Sequence, residues 1–189
     1  MSQAAAKNTQ SSKFSVREIC YTGLFAAVIA VMAQISIPLP LGVPMTMQTF
    51  AITLAAVVLG SKLSAMASLV YLILGAVGVP VLASFSGGID KFVGPTGGFL
   101  ISFPLMAYII GLGVEHRNAF KGAFPLAVVV GTVVNYIVGV ILFVIVAHST
   151  VAVAISACVL PFIPTAIIKA VLACAIGLNI RKRIPGLKA

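Results

Sequence analysis

The sequence predicts an all-α integral membrane protein: six transmembrane helices in one bundle, with the N- and C-termini cytoplasmic. Three observations lead there. The 189 residues are 61% hydrophobic, with a mean hydropathy of +1.20. Uncharged stretches of 43 residues (between Glu18 and Lys62) and 47 residues (between Lys121 and Lys169) are each too long for one span and suit two, because a membrane helix needs about 20 apolar residues. With one further span in each of the intervals 63–89 and 92–114 and a last one ending at Arg181, Lys182 and Arg183, ten of the 12 Lys and Arg residues fall on one face. By the positive-inside bias that face is the cytoplasm, which makes the chain a multi-pass protein of the cell membrane.

Residues 1–16, rich in Ser, Gln, Ala, Lys and Asn, hold too little apolar surface to pack and read as a disordered cytoplasmic tail; 17–189 form a single membrane domain. Helix 1 runs from about Glu18 to Ile37 and stops at Pro38, Pro40 and Pro44, since proline lacks the donor that a continuing helix needs. The outer loop 38–46 has almost no polar groups, so it is expected to fold back on the bundle or to line a cavity. Helix 2 extends from Thr46 to Gly60. Helix 3 covers Leu63 to Val79, closed by Gly78 and Pro80. The irregular stretch 81–98 holds five of the 17 glycines together with Asp90 and Lys91. Helix 4 covers about 99–114 with Pro104 inside it, and helix 5 about 124–146. After an outer turn at His148, Ser149 and Thr150, helix 6 spans about 151–180, bent or unwound at Pro161 and Pro164. The outer segments are thus longer and rich in Gly and Pro, as a pocket open to the outside would require.

The formal charge of +9 does not indicate a nucleic-acid partner, because the basic residues are scattered through short loops and termini, where topology and anionic lipid headgroups account for them. Cys20, Cys158 and Cys174 lack metal or CxxC spacing and read as small buried packing residues. No G-x-x-x-x-G-K-[ST] phosphate loop, H-E-x-x-H or G-x-S-x-G pattern occurs, so neither nucleotide hydrolysis by that route nor an enzyme is supported.

Lys169 and Lys91 are the two cations off the basic face. Lys169 stands inside a span, in its outer half and about 18 Å from the inner edge, too deep for easy inward escape; snorkelling to an interface is the alternative reading. An intramembrane lysine faces a cavity or a partner. No Asp or Glu falls within the six spans, which argues against proton- or sodium-driven transport and suits a carboxylate supplied by a ligand. Gly97 and Gly98, in the run Gly94-Pro95-Thr96-Gly97-Gly98, enter helix 4 where free N–H groups favour an anion; a tight turn would look the same. Asn135 lies mid-span between Gly131 and Gly139, either bonded across a close helix contact or facing a ligand. Tyr71 and Tyr136 are candidate aromatic walls or core. Ala26 and Ala30 form a small-xxx-small pair for close contact with another helix, in this chain or in a partner.

Ordered strings then carry a resemblance. Pro44-Met45-Thr46-Met47-Gln48-Thr49 resembles the P-I-T-L-Q-T segment of the BioY family, and Gly75-Ala76-Val77-Gly78-Val79-Pro80-Val81 its G-A-I-G-L-P-V. Ser86-Gly87-Gly88 with Gly94-Pro95-Thr96-Gly97-Gly98-Phe99 resembles its glycine-rich loop. Pro161-Phe162-Ile163-Pro164, with Lys169 five residues on, resembles its last-helix motif. The resemblance covers 38–169 and implies a substrate-binding S component of an energy-coupling-factor (ECF) transporter, with biotin as ligand. It implies as partners a transmembrane coupling protein, met through Ala26-x-x-x-Ala30, and two cytoplasmic ATPases that use the ATP; no cofactor is expected in this chain. For such a chain the residues read as a substrate site with Lys169 and Lys91 as cationic contacts, one of them to the ligand carboxylate, Asp90, Gln48, Thr46 and Asn135 as further polar contacts, and loop 81–98 as a gate that its glycines allow to open. One departure stands out. The family's P-G-D-L-x-K reads Pro164-Thr165-Ala166-Ile167-Ile168-Lys169 here, so the acidic position is Ala166, and Asp90 is the outer-side carboxylate left to replace it. This departure leaves a different vitamin open as the ligand, and a stand-alone facilitator without ATPases is a separate alternative.

Overall fold

The computed structural model describes residues 15–38, 43–117 and 122–184; the expected tail up to 14 and Lys7, Lys13, Lys121 and Lys188 lie outside them. Within these residues the chain is mostly helical. Seven helices have eight residues or more, and a one-turn helix and a two-stranded hairpin sit between them. α1 (Val16–Ala33) opens on a capping box in which Ser15 and Glu18 satisfy each other's free backbone donors. It begins inside the stretch assigned to the tail and ends four residues short of the expected stop. The reason is a hairpin: β1 (Ser36–Ile37) pairs antiparallel with β2 (Met45–Thr46), and Val43 just before β2 is buried.

α2 (Gln48–Leu59) and α3 (Ser61–Ala76) meet at Gly60, whose φ of 85° closes one helix and starts the next without a linker. A one-turn α4 (Asp90–Val93) follows in the irregular stretch, then α5 (Gly97–Glu115) and α6 (Ala123–Val146). Thr150 accepts from the Val153 N–H to start α7 (Val151–Cys158). A 3₁₀ turn over Leu160–Phe162 leads into α8 (Ile163–Arg183). Pro164 sits in the first turn of α8, where its missing donor is harmless, so the expected interruption of the last helix is a true break into two.

Four of these segments are long and apolar enough to cross a membrane: α1, α5, α6 and the α7–α8 pair. α2 and α3 are shorter apolar helices. The outward face of α6 carries Leu126, Val129, Val133, Ile137, Ile141 and Ile145, all exposed at helical spacing, as a lipid-facing side requires.

α2 is the centre. Eleven of its 12 residues are buried, and it packs against α1, α3, α5 and α8. Small residues set these distances: a Cβ on Gly177 of α8 would lie 2.7 Å from Val57, and one on Gly111 of α5 would lie 2.3 Å from the Ser61 nitrogen. The Gly60 corner is held by side chains from two other helices. Glu115 at the end of α5 accepts from the Ser61 N–H at 2.7 Å and from the Ser61 hydroxyl. Arg181 of α8 donates to the carbonyls of Val57 and Val58 at 3.3 and 2.9 Å. Arg181 is therefore a buried cap of α2, 6% exposed, rather than a solvated member of the basic cluster. Cys20, expected inside, is exposed on α1.

Gly111→Ala drives a methyl into the α2–α3 corner and is expected to destabilise the fold by about 1–3 kcal/mol. Gly23→Ala, where a Cβ meets nothing within 4 Å, serves as the control. Thermal unfolding of the two purified variants against the parent measures the difference.

Candidate functional site

A cavity of about 310 Å³ opens where α2, α5, α6 and α8 converge with the hairpin and the 81–98 stretch. This lies within the range of about 300–1,000 Å³ usual for small-molecule sites. Phe99, Leu100 and Phe103 of α5, Tyr136 of α6 and Phe162 beside α8 supply its apolar walls. Thr46, Gln48 and Thr49 at the start of α2 form one polar side, and Asn135, Thr165, Ala166, Lys169 and Lys91 complete it. Among the described residues no carboxylate lines the cavity, and two lysines do.

Lys169 is half-buried and its Nζ donates to the Thr46 carbonyl at 2.7 Å. No described carboxylate pairs with it, whereas Lys91 lies 3.0 Å from Asp90. Gln48 is 5% exposed: its Oε1 accepts from the Thr46 hydroxyl at 2.8 Å, and its Nε2 donates to the Tyr71 hydroxyl. Asn135 is 1% exposed. Its Nδ2 donates to the Phe99 carbonyl at 3.1 Å and to Ser102 Oγ at 2.7 Å, while the Ser102 hydroxyl itself donates to Phe99. With both amide hydrogens committed to fixed acceptors, the atom Asn135 has left for a ligand is its carbonyl oxygen, Oδ1.

Five sequence-derived candidates therefore meet around one space: Lys169, Lys91, Gln48, Thr46 and Asn135. Asp90 does not line the cavity; it is 66% exposed and neutralises Lys91. Tyr71 is fully buried behind Gln48 and positions it, whereas Tyr136 is the tyrosine on the wall. Gly97 and Gly98 are packing residues at the start of α5: an added Cβ would strike the Phe92 and Val138 carbonyls. The glycines flanking Asn135 do bring α5 and α6 together, since Gly131 touches Ile110 and Gly139 touches Phe99; the close contact and the cavity position occur together. Ala26 is 4% exposed in the core and Ala30 packs against that core. The outward face of α1 instead carries Gly23, Leu24, Ala27 and Val31.

The model of the BioY family matches residues 6–186. The chain belongs to the BioY family. A biotin transporter BioY of Thermotoga maritima is 42% identical over 168 residues, spanning 88% of this chain and 97% of that protein. A biotin transporter BioY of Rhizobium etli is 34% identical over 93% of this chain and 98% of its own length. Among solved structures, a crystal structure of the S-component for biotin from an ECF-type ABC transporter superposes with a TM-score of 0.80 at 27% identity, covering 88% of this chain and 92% of that one. These BioY relatives are transporters, not enzymes, and the chain shares their fold as a multi-pass membrane protein.

Tyr71→Phe leaves a buried Gln48 amide hydrogen without its acceptor. The expected result is a loss of about 1–3 kcal/mol in stability, read by thermal unfolding.

Proposed function

We propose that this chain is a biotin-capturing S component, with the ligand held in the cavity between α2, α5, α6 and α8. The carrying observation is the pair of oppositely suited polar groups on that cavity: a lysine lacking a carboxylate partner, and an amide whose hydrogens are already spent. Biotin has a carboxylate at one end and two ureido N–H donors at the other. Lys169 takes the carboxylate, because Lys91 already has Asp90. Asn135 Oδ1 accepts from the ureido group. The aromatic side chains enclose the fused rings between them. Ala166 lines the cavity where the family motif has an aspartate, so the acceptor function passes to Asn135 rather than to Asp90, which is outside the lining.

In the same reading α2, continued outward by the hairpin, and α3 complete a bundle of six crossings. The pole carrying Lys62, Arg117, Lys182 and Arg183 faces the cytoplasm, and the cavity opens to the other side of the cell membrane. The exposed small residues Gly23 and Ala27 allow close approach of a coupling protein, and two cytoplasmic ATPases supply the energy.

Calorimetric titration with biotin, with riboflavin and thiamine as controls, tests the ligand; heat only with biotin is expected, and a folded sample silent to biotin sinks the assignment. Lys169→Met is expected to weaken biotin by at least about tenfold, as loss of a charge-assisted contact does. The same variant and the parent should bind biotin amide alike, because the carboxylate that distinguishes them is gone. Asn135→Leu should also weaken biotin about tenfold or more, while Asp90→Asn binds as the parent does. Uptake into vesicles by this chain alone would replace the ATP-driven reading with that of a facilitator.

A further inference from the structure

One side chain just past the end of α1 holds the wall of the cavity on its far side. Gln34 follows the last turn of α1, and its amide is fully used: Nε2 donates to the Ala30 carbonyl at 2.8 Å and to the Val81 carbonyl at 3.1 Å, and Oε1 accepts from the Phe85 N–H at 2.7 Å. Two residues on, Ser36 Oγ lies 2.8 Å from Ser84 Oγ. The segment so gripped is unusual. Ser84 and Phe85 have φ of 58° and 53°, neither being glycine. Left-handed residues with a Cβ are unfavourable and persist only where their surroundings hold them. Leu82 anchors the near end, buried against Gly75 and bridged to Ser86, and Leu82, Ala83, Ser84 and Ser86 line the cavity. Phe85 itself points outward, 71% exposed, so no burial of its ring fixes the turn.

We infer that Gln34 is a latch: a positioning residue that holds the strained 83–86 turn closed over the cavity and thereby sets how fast ligand exchanges. Without the amide, the turn relaxes toward ordinary backbone angles and swings away from the cavity, with Leu82 as the fixed end. The latch touches no ligand. It acts by keeping the closed wall populated, so its loss changes rates more than fold. The ligand part of this inference rests on the cavity being the biotin site.

Two measurements on the full chain in lipid nanodiscs keep the two readings apart. Backbone hydrogen exchange without ligand should lose protection at Leu82–Ser86 in Gln34→Met and keep it elsewhere. Gln34→Glu, which retains the acceptor for Phe85 but loses the donor to Val81, should fall between. Unchanged protection in Gln34→Met overturns the latch whatever the ligand proves to be. Radiolabelled biotin should then dissociate about tenfold faster or more from Gln34→Met, the effect of one lost hydrogen bond or more, with the ligand-free melting temperature as in the parent. Dissociation as slow as in the parent overturns the latch. So does faster dissociation matched by a general fall in protection and melting temperature, which marks a merely structural role. A parent chain that binds no biotin refutes the ligand assignment, and the exchange result still decides the latch.

Discussion

In a hydrocarbon slab a backbone N–H or C=O without a partner costs several kcal/mol, because no water stands by to accept or donate. The same cost falls on any backbone group buried in protein away from water, and this bundle breaks its helices at the Gly60 corner, at the hairpin, in the 81–98 stretch and between α7 and α8. At three of those breaks a long polar side chain from another element repairs the damage. Arg181 covers the carbonyls that end α2, and Glu115 covers the N–H that starts α3. Lys169 takes the Thr46 carbonyl of β2, and Gln34 takes a donor and an acceptor in the half-exposed irregular stretch, where water can replace it at little cost to the fold. The few polar residues in this apolar chain are, to a large extent, its backbone repairs.

Lys169 and, between α5 and α6, Asn135 have a second task because both border the cavity. Lys169 needs one acceptor to be tolerated in a span, yet an ammonium has three hydrogens; one goes to Thr46, and the charge itself is left without a counterion in the cavity. Asn135 shows the reverse economy. Ser102 and Phe99 absorb its hydrogens, so its amide is locked in one orientation before any ligand arrives. Preorganisation of this kind spares the ligand the cost of turning the group.

The helix ends were legible wherever proline or glycine imposes them: Gly60, Gly78 with Pro80, and Pro161 with Pro164 mark ends that the structure reproduces within a few residues. The hairpin was not, because strands of two residues have no alternation to read. Which face of each helix turns inward was illegible for the same reason throughout. Helices that meet lipid outside and protein inside are apolar all round, so Ala26 and Gly23, or Tyr71 and Tyr136, carry no mark of their direction. Arg181 looked like one of three topological charges because its partners are carbonyls of the backbone, which leave no trace in a side-chain pattern. Lys169, Lys91, Gln48, Thr46 and Asn135 could be singled out because polar groups are scarce in such a chain; the role of Ser102, 33 residues from the amide it fixes, depends on the fold alone.

The length of α2 has a consequence of its own. Its 12 residues reach about 18 Å, and the 24 of α6 about 36 Å. Beyond the start of α2 the outer ends of α6 and α7 pack on Val43 and on one another instead. Its first residues, Gln48 and Thr49, lie on the floor of the void, and Thr49 is the one residue of α2 not classed as buried. The cavity thus lies where further turns of α2 would otherwise stand, between the core around α2 and the smaller buried cluster of Phe143, Ala154 and Cys158 at the outer end. On the proposed function, a ligand there would join two separately packed cores, so that occupancy would be felt as cohesion along the whole bundle.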